Sequence, residues 1–391
     1  MRTQVGIVGA GPAGLVLTHL LARAGIDSVV LENRSRGYIE QRVRAGVLEQ
    51  TTVDLLRENG LAQRLDREGL VHHGLELRFA GRGHRIPLSE LTGGRAITVY
   101  GQQEVVKDLV KARLEAGGEI LFEVDDVSLH ELDSERPAIR FRHDGGDHEL
   151  RCDVVAGCDG YHGISRPSIP AGVLTGYERE YPFAWLGILA EAPPSSEELI
   201  YCSSERGFAL HSMRSPKVTR LYLQVDPAED LANWPDEHIW EELRARFATD
   251  DGWALADGPL LEKGITSMRS FVVEPMQYGR LYLAGDAAHI VPATGAKGLN
   301  LAVADVRILA EALEVWYRTG RSDLLDAYSA ACLRRVWRVQ QFSWWMTSML
   351  HLFDDQGGFD RRLQLSQLAY VCSSTAAATS LAENYVGLPY V

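Results

Sequence analysis

A glycine-rich turn near the start of the chain constrains the fold more than any other feature of the sequence. Gly9, Gly11 and Gly14 lie between an apolar run at residues 5–8 and a stretch with apolar side chains at helical spacing. A second apolar run follows at residues 29–31. This order predicts a strand, a helix and a parallel strand joined by a right-handed connection.

The spacing of these glycines is typical of a dinucleotide-binding unit. The first glycine permits a tight turn, the second lets backbone approach a pyrophosphate, and the third lets helix and strand pack closely. The helix N-terminus stabilises the anion, and Glu32 after the second strand would bind a ribose diol. A glycine turn without a ligand is the alternative. One fingerprint does not separate FAD from NAD, but the lack of a second one favours resident FAD and a visiting NAD(P)H.

Charge and cysteine usage exclude several classes of protein. The 391 residues include 40 basic and 53 acidic ones, a net charge of -13 without a sustained run of either sign, which argues against nucleic-acid binding. The N-terminus lacks a signal-peptide pattern, and no apolar run reaches the ~18 residues of a membrane span. Five scattered cysteines without a CxxC pair indicate neither disulfides nor a metal site. We therefore expect a cytoplasmic protein that binds no membrane.

The rest of the chain alternates helical and strand-like segments. The expected helices lie near residues 48–59, 102–116 and 237–247 and from Gly298 onward, with a mostly helical tail over 323–391, and the expected strands lie within 121–155, 186–225 and 281–284. This order predicts an α/β (mixed α+β) protein: a Rossmann-like FAD-binding domain, an inserted antiparallel-sheet substrate domain and a helical C-terminal region. The FAD-binding domain is expected over 1–71, 98–180 and 268–349. The substrate domain is expected over 72–97 and 181–267, and the helical C-terminal region over 350–391.

Two further segments carry a resemblance to a known family. Residues 158–166 and 285–289 resemble the Asp-Gly and Gly-Asp motifs of flavin-dependent aromatic hydroxylases, in the expected order after the fingerprint. The resemblance narrows to the 4-hydroxybenzoate 3-monooxygenase (p-hydroxybenzoate hydroxylase) family and covers essentially the whole chain. The stretches that carry it are 42–50, 99–102, 212–222, 285–300, 342–347 and 383–389.

The resemblance implies a set of FAD contacts. Arg42 and Arg44 could neutralise the diphosphate, although a solvated basic face is the alternative. The helix that begins near Gly298 would direct its positive end at the flavin edge where charge accumulates on reduction. The fingerprint, the helix start and the resemblance together give these expected FAD-binding residues: Gly9, Gly11, Gly14, Glu32, Arg42, Arg44, Gln102, Asp159, Asp286, Gly298, Leu299 and Asn300.

The resemblance also implies a substrate site. Ser212, Arg214 and Tyr222 would hold a carboxylate, because a planar bidentate arginine suits a benzoate, and Tyr201 would contact the phenol oxygen. Strand periodicity places Ser212 and Arg214 on one face. A sheet-surface arginine is the alternative for Arg214.

A proton relay is implied by three dispersed residues. Tyr201, Tyr385 and His72 look like the family's path from the substrate hydroxyl to solvent. Buried tyrosines and a lone histidine are more often structural, so the fold has to bring these residues together.

One loop departs from the family pattern. The family usually has two prolines before Thr294, whereas this chain has Pro292 and Ala293. The family's backbone carbonyl at this position lies near the substrate's 4-oxygen, so Ala293 is an expected substrate contact. A more flexible loop would alter substrate preference more than reaction type.

A variable patch at residues 33–40 influences coenzyme choice in the family. Here it contains Arg34, Arg36 and Tyr38, and Arg44 lies close by in sequence. Two arginines beside a nucleotide groove could receive a 2′-phosphate, which favours NADPH over NADH.

The resemblance implies a homodimer that converts 4-hydroxybenzoate to 3,4-dihydroxybenzoate. NAD(P)H would reduce FAD, and O2 would react at flavin C4a to give the hydroperoxide that hydroxylates the ring beside its phenol oxygen. The alternatives are the same chemistry on a related ring, such as 4-aminobenzoate or a dihydroxybenzoate, and a flavin-binding sensor without turnover.

Overall fold

The structure is a computed structural model that describes residues 1–42, 46–353 and 357–390. The strands in these ranges are β1 (Val5–Val8), β2 (Ser28–Leu31), β3 (Val47–Leu48), β4 (Leu70–His72), β5 (Leu75–Phe79), β6 (Arg82–Ile86), β7 (Ile97–Val99), β8 (Glu119–Leu121), β9 (Asp125–His130), β10 (Ala138–His143), β11 (Gly146–Arg151), β12 (Val154–Gly157), β13 (Thr175–Ala190), β14 (Leu199–Ser204), β15 (Gly207–Ser215), β16 (Val218–Val225), β17 (Leu260–Glu274), β18 (Gln277–Tyr278), β19 (Leu281–Leu283) and β20 (His289–Ile290). The helices are α1 (Pro12–Arg23), α2 (Arg36–Gln41), α3 (Gln50–Glu58), α4 (Leu65–Glu68), α5 (Leu88–Leu91), α6 (Gln102–Glu115), α7 (Asp236–Phe247), α8 (Gly298–Thr319), α9 (Asp323–Asp326), α10 (Tyr328–Leu350), α11 (Gly358–Ser373) and α12 (Thr375–Val386).

The first large sheet contains the predicted strand-helix-strand unit. Its order is β18-β19-β12-β1-β2-β8, and all of its pairs are parallel except β18 with β19. Every residue of β1, β2 and β12 is buried, as expected for parallel strands covered on both faces. The strand β19 returns to this sheet after a long insertion, which confirms the α/β fold class.

The second large sheet contains the predicted meander. Its order is β20-β17-β13-β16-β15-β14-β5-β6, and its pairs are antiparallel except β14 with β5. One face packs against α7, through Leu221, Leu223 and Leu243 among others. The opposite face packs against the C-terminal helices, through Tyr201, Phe342 and Tyr385 among others.

The strands cross the domain boundaries expected from the sequence. β13 passes the expected boundary at residue 180, β17 passes the one at residue 267, and β20 joins the substrate sheet from within the 268–349 segment. The division into domains therefore stays a prediction, and the two large sheets are its main support. In the part of the chain that the structure describes, no helix is long and apolar enough to cross a membrane.

Candidate active site

The three glycines of the turn between β1 and α1 have different surroundings, which explain why each position is a glycine. Gly9 has a φ of +103°, and a Cβ there would overlap the carbonyl oxygen of Cys158. A Cβ on Gly14 would overlap the carbonyl oxygen of Gly9. A Cβ on Gly11 would meet no atom within 4 Å. The protein's own packing thus requires the first and third glycines, whereas the second borders space that a ligand can use.

Two helix N-termini are free to stabilise an anion. Gly11 and Lys297, the N-cap residues that precede α1 and α8, make no side-chain capping hydrogen bond. Gly298 also has no atom within 4 Å of a Cβ position. A dinucleotide with a negative diphosphate and an electron-accepting ring fits these two ends.

The carboxylate of Glu32 holds the nucleotide end together. Its Oε2 accepts a hydrogen bond from the Ala10 amide at 2.8 Å, and its Oε1 accepts one from the Arg34 amide at 2.8 Å. This buried carboxylate joins the glycine-rich turn to the loop after β2. Its position at the end of β2 is where a ribose diol would be expected.

Asp159 and Asp286 occupy loops next to the glycine-rich turn. The Asp159 Oδ2 accepts hydrogen bonds from the Ser165 amide at 2.8 Å and its hydroxyl at 2.9 Å, while Oδ1 is buried without a hydrogen-bond partner among the described residues. Burial raises the pKa of this carboxyl. Asp286 is exposed on a short turn that Asp305 holds by accepting from the Gly285 amide at 3.0 Å.

The start of α8 is fixed by polar side chains in a largely apolar setting. Asn300 accepts a hydrogen bond from the Glu49 amide at 2.9 Å and donates to the carbonyl oxygen of Val47 at 2.9 Å. Leu299 is half-buried beside it. Lys297 is buried and donates to Glu49 Oε1 at 2.6 Å and to the Tyr385 carbonyl oxygen at 3.0 Å. Burial outweighs the neighbouring carboxylate and lowers the pKa of this lysine.

The substrate sheet brings the predicted carboxylate site together on one face. Tyr201 pairs with Leu210, Leu210 pairs with Tyr222, and Ser212 lies two residues further along β15, so these side chains point to the same side. Arg220, Tyr222 and Gln224 alternate with buried residues along β16 and therefore share one face of that strand.

Arg214 lies at an irregularity in the pairing of β15 with β16. It donates to the Ser212 hydroxyl at 2.7 Å and to the Met213 carbonyl oxygen at 2.9 Å. Its Nε is buried without a partner, and burial lowers its pKa with no carboxylate among the described residues to offset that effect. An anionic ligand would supply the missing counter-charge.

The two tyrosines of the expected relay are in contact. The hydroxyl oxygens of Tyr201 and Tyr385 are 2.5 Å apart, and both residues are almost completely buried. Burial raises the pKa of both phenols, so their hydroxyls stay protonated at neutral pH and can each accept and donate. His72 is also buried, and desolvation lowers its pKa to about 4. No hydrogen bond among the described residues joins His72 to either tyrosine, because both of its ring nitrogens lack partners.

The chain resembles known proteins over its whole length. A family model for an FAD binding domain matches residues 2–343. The p-hydroxybenzoate hydroxylase of Acinetobacter baylyi is 50% identical over 390 residues, which cover 100% of this chain and 96% of that protein. The chain belongs to the FAD-dependent aromatic hydroxylases. The hydroxylase is also 27% identical to rifampicin monooxygenase of Streptomyces venezuelae, over 84% of this chain and 67% of that protein.

Solved structures share the fold of the hydroxylase. The p-nitrophenol 4-monooxygenase of Pseudomonas putida matches with a TM-score of 0.85 over 99% of both chains, at 19% identity. An aklavinone-11 hydroxylase in complex with FAD and aklavinone matches with a TM-score of 0.74 over 89% of this chain and 69% of that one, at 22% identity.

The remaining predicted residues of the hydroxylase lie in other elements of the fold. Arg42 is exposed after α2, Gln102 begins α6 and is half-buried, and Arg44 lies outside the described residues. Ala293 is exposed on the short turn before α8. Ala293 thus lies just before α8 in the sequence, and its contact with a substrate stays a prediction.

Sequence reasoning did not find Lys297, Glu49 or Asp305. Lys297 is the one residue among Asp, Glu, Lys and Arg between Asp286 and Asp305, and a single charge in an apolar stretch is a usable signal. Asp305 also accepts from His289 Nε2 at 2.6 Å, which holds the turn that carries Asp286. Burial alone would lower the pKa of His289, but the Asp305 carboxylate outweighs it and raises this pKa.

Proposed function

We propose that the hydroxylase converts 4-hydroxybenzoate to 3,4-dihydroxybenzoate with NAD(P)H and O2. The observation that carries the proposal is the placement of Arg214, which lacks a counter-ion, beside a sheet face that also presents the Tyr201 and Tyr385 hydroxyl pair. A 4-hydroxybenzoate has a carboxylate at one end and a phenol at the other, so the two features match its two ends. The A. baylyi p-hydroxybenzoate hydroxylase supports the same substrate.

FAD would be held by the glycine-rich turn, Glu32 and the N-terminus of α8, and it would supply hydride acceptance from NAD(P)H and activation of O2. Arg214 and Ser212 bind the substrate carboxylate and fix the orientation of the ring. Tyr201 accepts the phenol proton while its own hydroxyl proton passes to Tyr385. Loss of that proton raises electron density at the ring carbon beside the phenol oxygen, which is the carbon to be hydroxylated.

The surroundings of the tyrosine pair exclude water. Phe208 and Leu210 extend the same sheet face, Phe342 of α10 lies against Tyr385, and all three are buried. An apolar wall keeps water away from the reacting atoms and so confines proton transfer to the tyrosine path. His72 would complete the path to solvent, and its ring is neutral at neutral pH because desolvation lowers its pKa to about 4.

The rival proposals differ in what the protein does with related acids. Ala293 before α8 is the sequence departure that favours another ring, such as 4-aminobenzoate or a dihydroxybenzoate. The test is a spectral titration of the purified flavoprotein with each acid, followed by product mass and peroxide measurement after addition of NADPH. A hydroxylated product from 4-hydroxybenzoate with little peroxide supports the proposal. Product from another acid alone would support the first rival, and no oxygen uptake with any acid would support a sensor.

We also propose that a cavity near α2 selects the coenzyme. Its volume is about 320 Å³, and its lining residues are Asn33, Arg34, Ser35, Tyr38, Glu123 and Asp125. The Arg34 guanidinium lines this cavity, 5.2 Å from the Tyr38 ring centroid, and its positive charge would pair with the 2′-phosphate of NADPH. Arg36 is paired with Glu40 at 2.7 Å, and the two acidic lining residues oppose a phosphate. The preference for NADPH should therefore be modest.

A homodimer in the cytoplasm completes the proposal. The outer side of α11 exposes Phe359, Leu363 and Tyr370, with exposed fractions of 75%, 55% and 59%. Their spacing aligns them along one helix face, which suits a second copy. The five free cysteines agree with a reducing compartment. Light scattering of wild type and of Phe359→Ser with Leu363→Ser would show a dimer and its loss.

A further inference from the structure

The chain that follows Tyr385 is tied down by cations from three distant parts of the sequence. Tyr385 stands one residue before the end of α12, and residues 387–390, here called the C-terminal turn, leave the helix at Gly387 with a φ of +90°. Lys297 donates to the Tyr385 carbonyl oxygen at 3.0 Å, Arg335 donates to that of Leu388 at 3.1 Å, and Arg95 donates to that of Gly387. Carbonyl groups at a helix C-terminus lack helical partners, so each cation satisfies an otherwise unpaired acceptor.

The position of this turn leaves little freedom. A Cβ on Gly387 would overlap the carboxylate of Glu49, which shows how closely the turn lies on that side chain. Glu49 in turn binds Lys297 at 2.6 Å and Arg335 at 3.3 Å. A displacement of the turn would therefore be transmitted to Tyr385, two residues before Gly387.

Arg95 differs from the other two cations. Lys297 and Arg335 both share Glu49, whereas the one hydrogen bond of the Arg95 guanidinium among the described residues is to Gly387. Arg95 is half-buried on the loop before β7 and belongs to neither the expected flavin site nor the substrate site. Its removal consequently loosens the turn without unpairing Glu49.

We infer that Arg95 is a positioning residue for proton transfer: it holds the C-terminal turn so that the Tyr385 hydroxyl stays within hydrogen-bonding distance of Tyr201. A hydrogen bond weakens steeply once the heavy atoms separate beyond their usual range, so a small slip of the turn interrupts the path. The role of Tyr385 in that path is itself the proposed function. The position of the turn, in contrast, is independent of any reaction.

The experiment compares Arg95→Met, Arg95→Lys and Arg338→Met in the FAD-bound enzyme. Arg338 of α10 is the matched control, because its Nε donates to the Asn384 side chain of α12, the helix that carries Tyr385, at 3.1 Å and not to the turn. Hydrogen exchange of the C-terminal peptide reports on the turn, and the pH titration of bound 4-hydroxybenzoate by absorbance reports on proton transfer. For Arg95→Met we expect faster exchange and an apparent phenol pKa higher by about one unit, a tenfold change in equilibrium. Arg95→Lys should recover much of both, and Arg338→Met should match wild type.

Each other outcome contradicts a defined part of this inference. Unchanged exchange in Arg95→Met would show that Arg95 does not hold the turn. Faster exchange with a wild-type titration would show that the turn does not position Tyr385. Should Arg95→Met lose FAD, the same two measurements on Arg95→Gln, which shortens the side chain, decide between these results. If wild type forms no phenolate and no hydroxylated product, the proposed function fails, while the exchange measurement still decides the role of Arg95 in holding the turn.

Discussion

The nucleotide end of the hydroxylase is assembled from neighbours in sequence, whereas the substrate end is assembled from residues far apart. The strand β1, its glycine-rich turn, α1, β2 and Glu32 occupy one continuous stretch, and Glu32 folds back on Ala10 at 2.8 Å. Tyr201 and Tyr385, in contrast, are separated by 184 positions. A continuous site depends on local backbone geometry, and a dispersed site depends on the correct packing of several elements. The two ends should therefore respond differently to substitution and to pH.

The largest expected effect is at the nucleotide end. Gly11→Val should leave the hydroxylase largely without FAD, because the new side chain occupies the space that the pyrophosphate would approach. The apo-protein should unfold at its usual temperature, since a Cβ at Gly11 meets no atom within 4 Å. The flavin-to-protein absorbance ratio and thermal unfolding of the apo forms measure both.

Gly14→Ala is the contrasting variant for this prediction. Its Cβ would overlap the Gly9 carbonyl oxygen, so the apo-protein itself should lose stability. Undiminished flavin in Gly11→Val would remove the assignment of the turn to the pyrophosphate.

The next effect is at the substrate end. Arg214→Lys should weaken 4-hydroxybenzoate binding by about 2–5 kcal/mol, because an ammonium loses the planar fork and leaves a buried carboxylate poorly paired. Titration of flavin absorbance gives the Kd. Lys217→Gln, in the exposed turn between β15 and β16, is the control for a general loss of positive charge. An unchanged Kd in Arg214→Lys would mean that the carboxylate is held elsewhere.

The same contrast explains what the sequence could predict. The glycine spacing, the helix α6 and the meander β14 to β16 follow from local periodicity and turn residues, and they are present close to their expected bounds. The face shared by Tyr201, Ser212 and Tyr222 needs the register between strands, which periodicity within one strand does not supply. The assignment of these residues came from family resemblance, and their roles stay predictions.

Other parts of the site could not have been read from local patterns. Lys297 is buried because Glu49 and the Tyr385 carbonyl oxygen surround it, and both partners are distant in sequence. The strands β13 and β17 likewise continue across the domain boundaries that the sequence predicts, because each is a long strand that spans two predicted segments. Tertiary pairing decides such features, and a single sequence carries little signal for it.

Substitution of the tyrosine pair tests whether the substrate end transfers a proton. Tyr201→Phe and Tyr385→Phe each remove one hydroxyl and nearly preserve volume, so substrate should still bind. Less phenolate should form at neutral pH, and hydroxylation should slow by about tenfold or more while peroxide release increases. Product formed per NAD(P)H consumed measures this loss. Tyr328→Phe is the matched control, because its buried hydroxyl donates to the Leu283 carbonyl oxygen in the nucleotide end. Wild-type coupling in both relay variants would return these tyrosines to a structural role.

Lowering the pH should destabilise the substrate end more than the nucleotide end. Burial lowers the pKa of His72 and His211 to about 4 and that of His351 to about 3, and all three lie around the substrate sheet. These rings are neutral when folded and protonate on unfolding, so their stabilising contribution is present above about pH 6.5 and is lost as the pH falls toward 4. The expected loss is roughly 1.4 kcal/mol per pH unit for each histidine in that window.

The nucleotide end has a different balance. The pKa of His289 is raised, so this residue stabilises the fold below its unfolded-state pKa, and that stabilisation is lost as the pH rises through its folded-state pKa. The pKa of His19 on α1 is lowered, as for the three histidines of the substrate end. Hydrogen exchange between pH 7 and pH 5 should therefore lose protection in β14 to β16 before β1 and β2. His211→Gln should reduce the pH dependence. Equal loss in both sheets would contradict the contrast.

The smallest expected effect concerns coenzyme choice, where the two ends should be independent. Arg34→Ala with Arg36→Ala should lower the NADPH to NADH ratio of kcat/KM by about three- to tenfold, a modest value because these charges are solvated. Most of the change should come from Arg34, since Arg36 is already paired with Glu40 at 2.7 Å. Glu123→Gln with Asp125→Asn should change the ratio in the opposite direction, because these carboxylates line the same cavity and repel a 2′-phosphate. The Kd for 4-hydroxybenzoate should stay at its wild-type value in both double variants. If neither pair changes the coenzyme ratio, the cavity does not contact the 2′-position, and the expected preference for NADPH loses its physical basis.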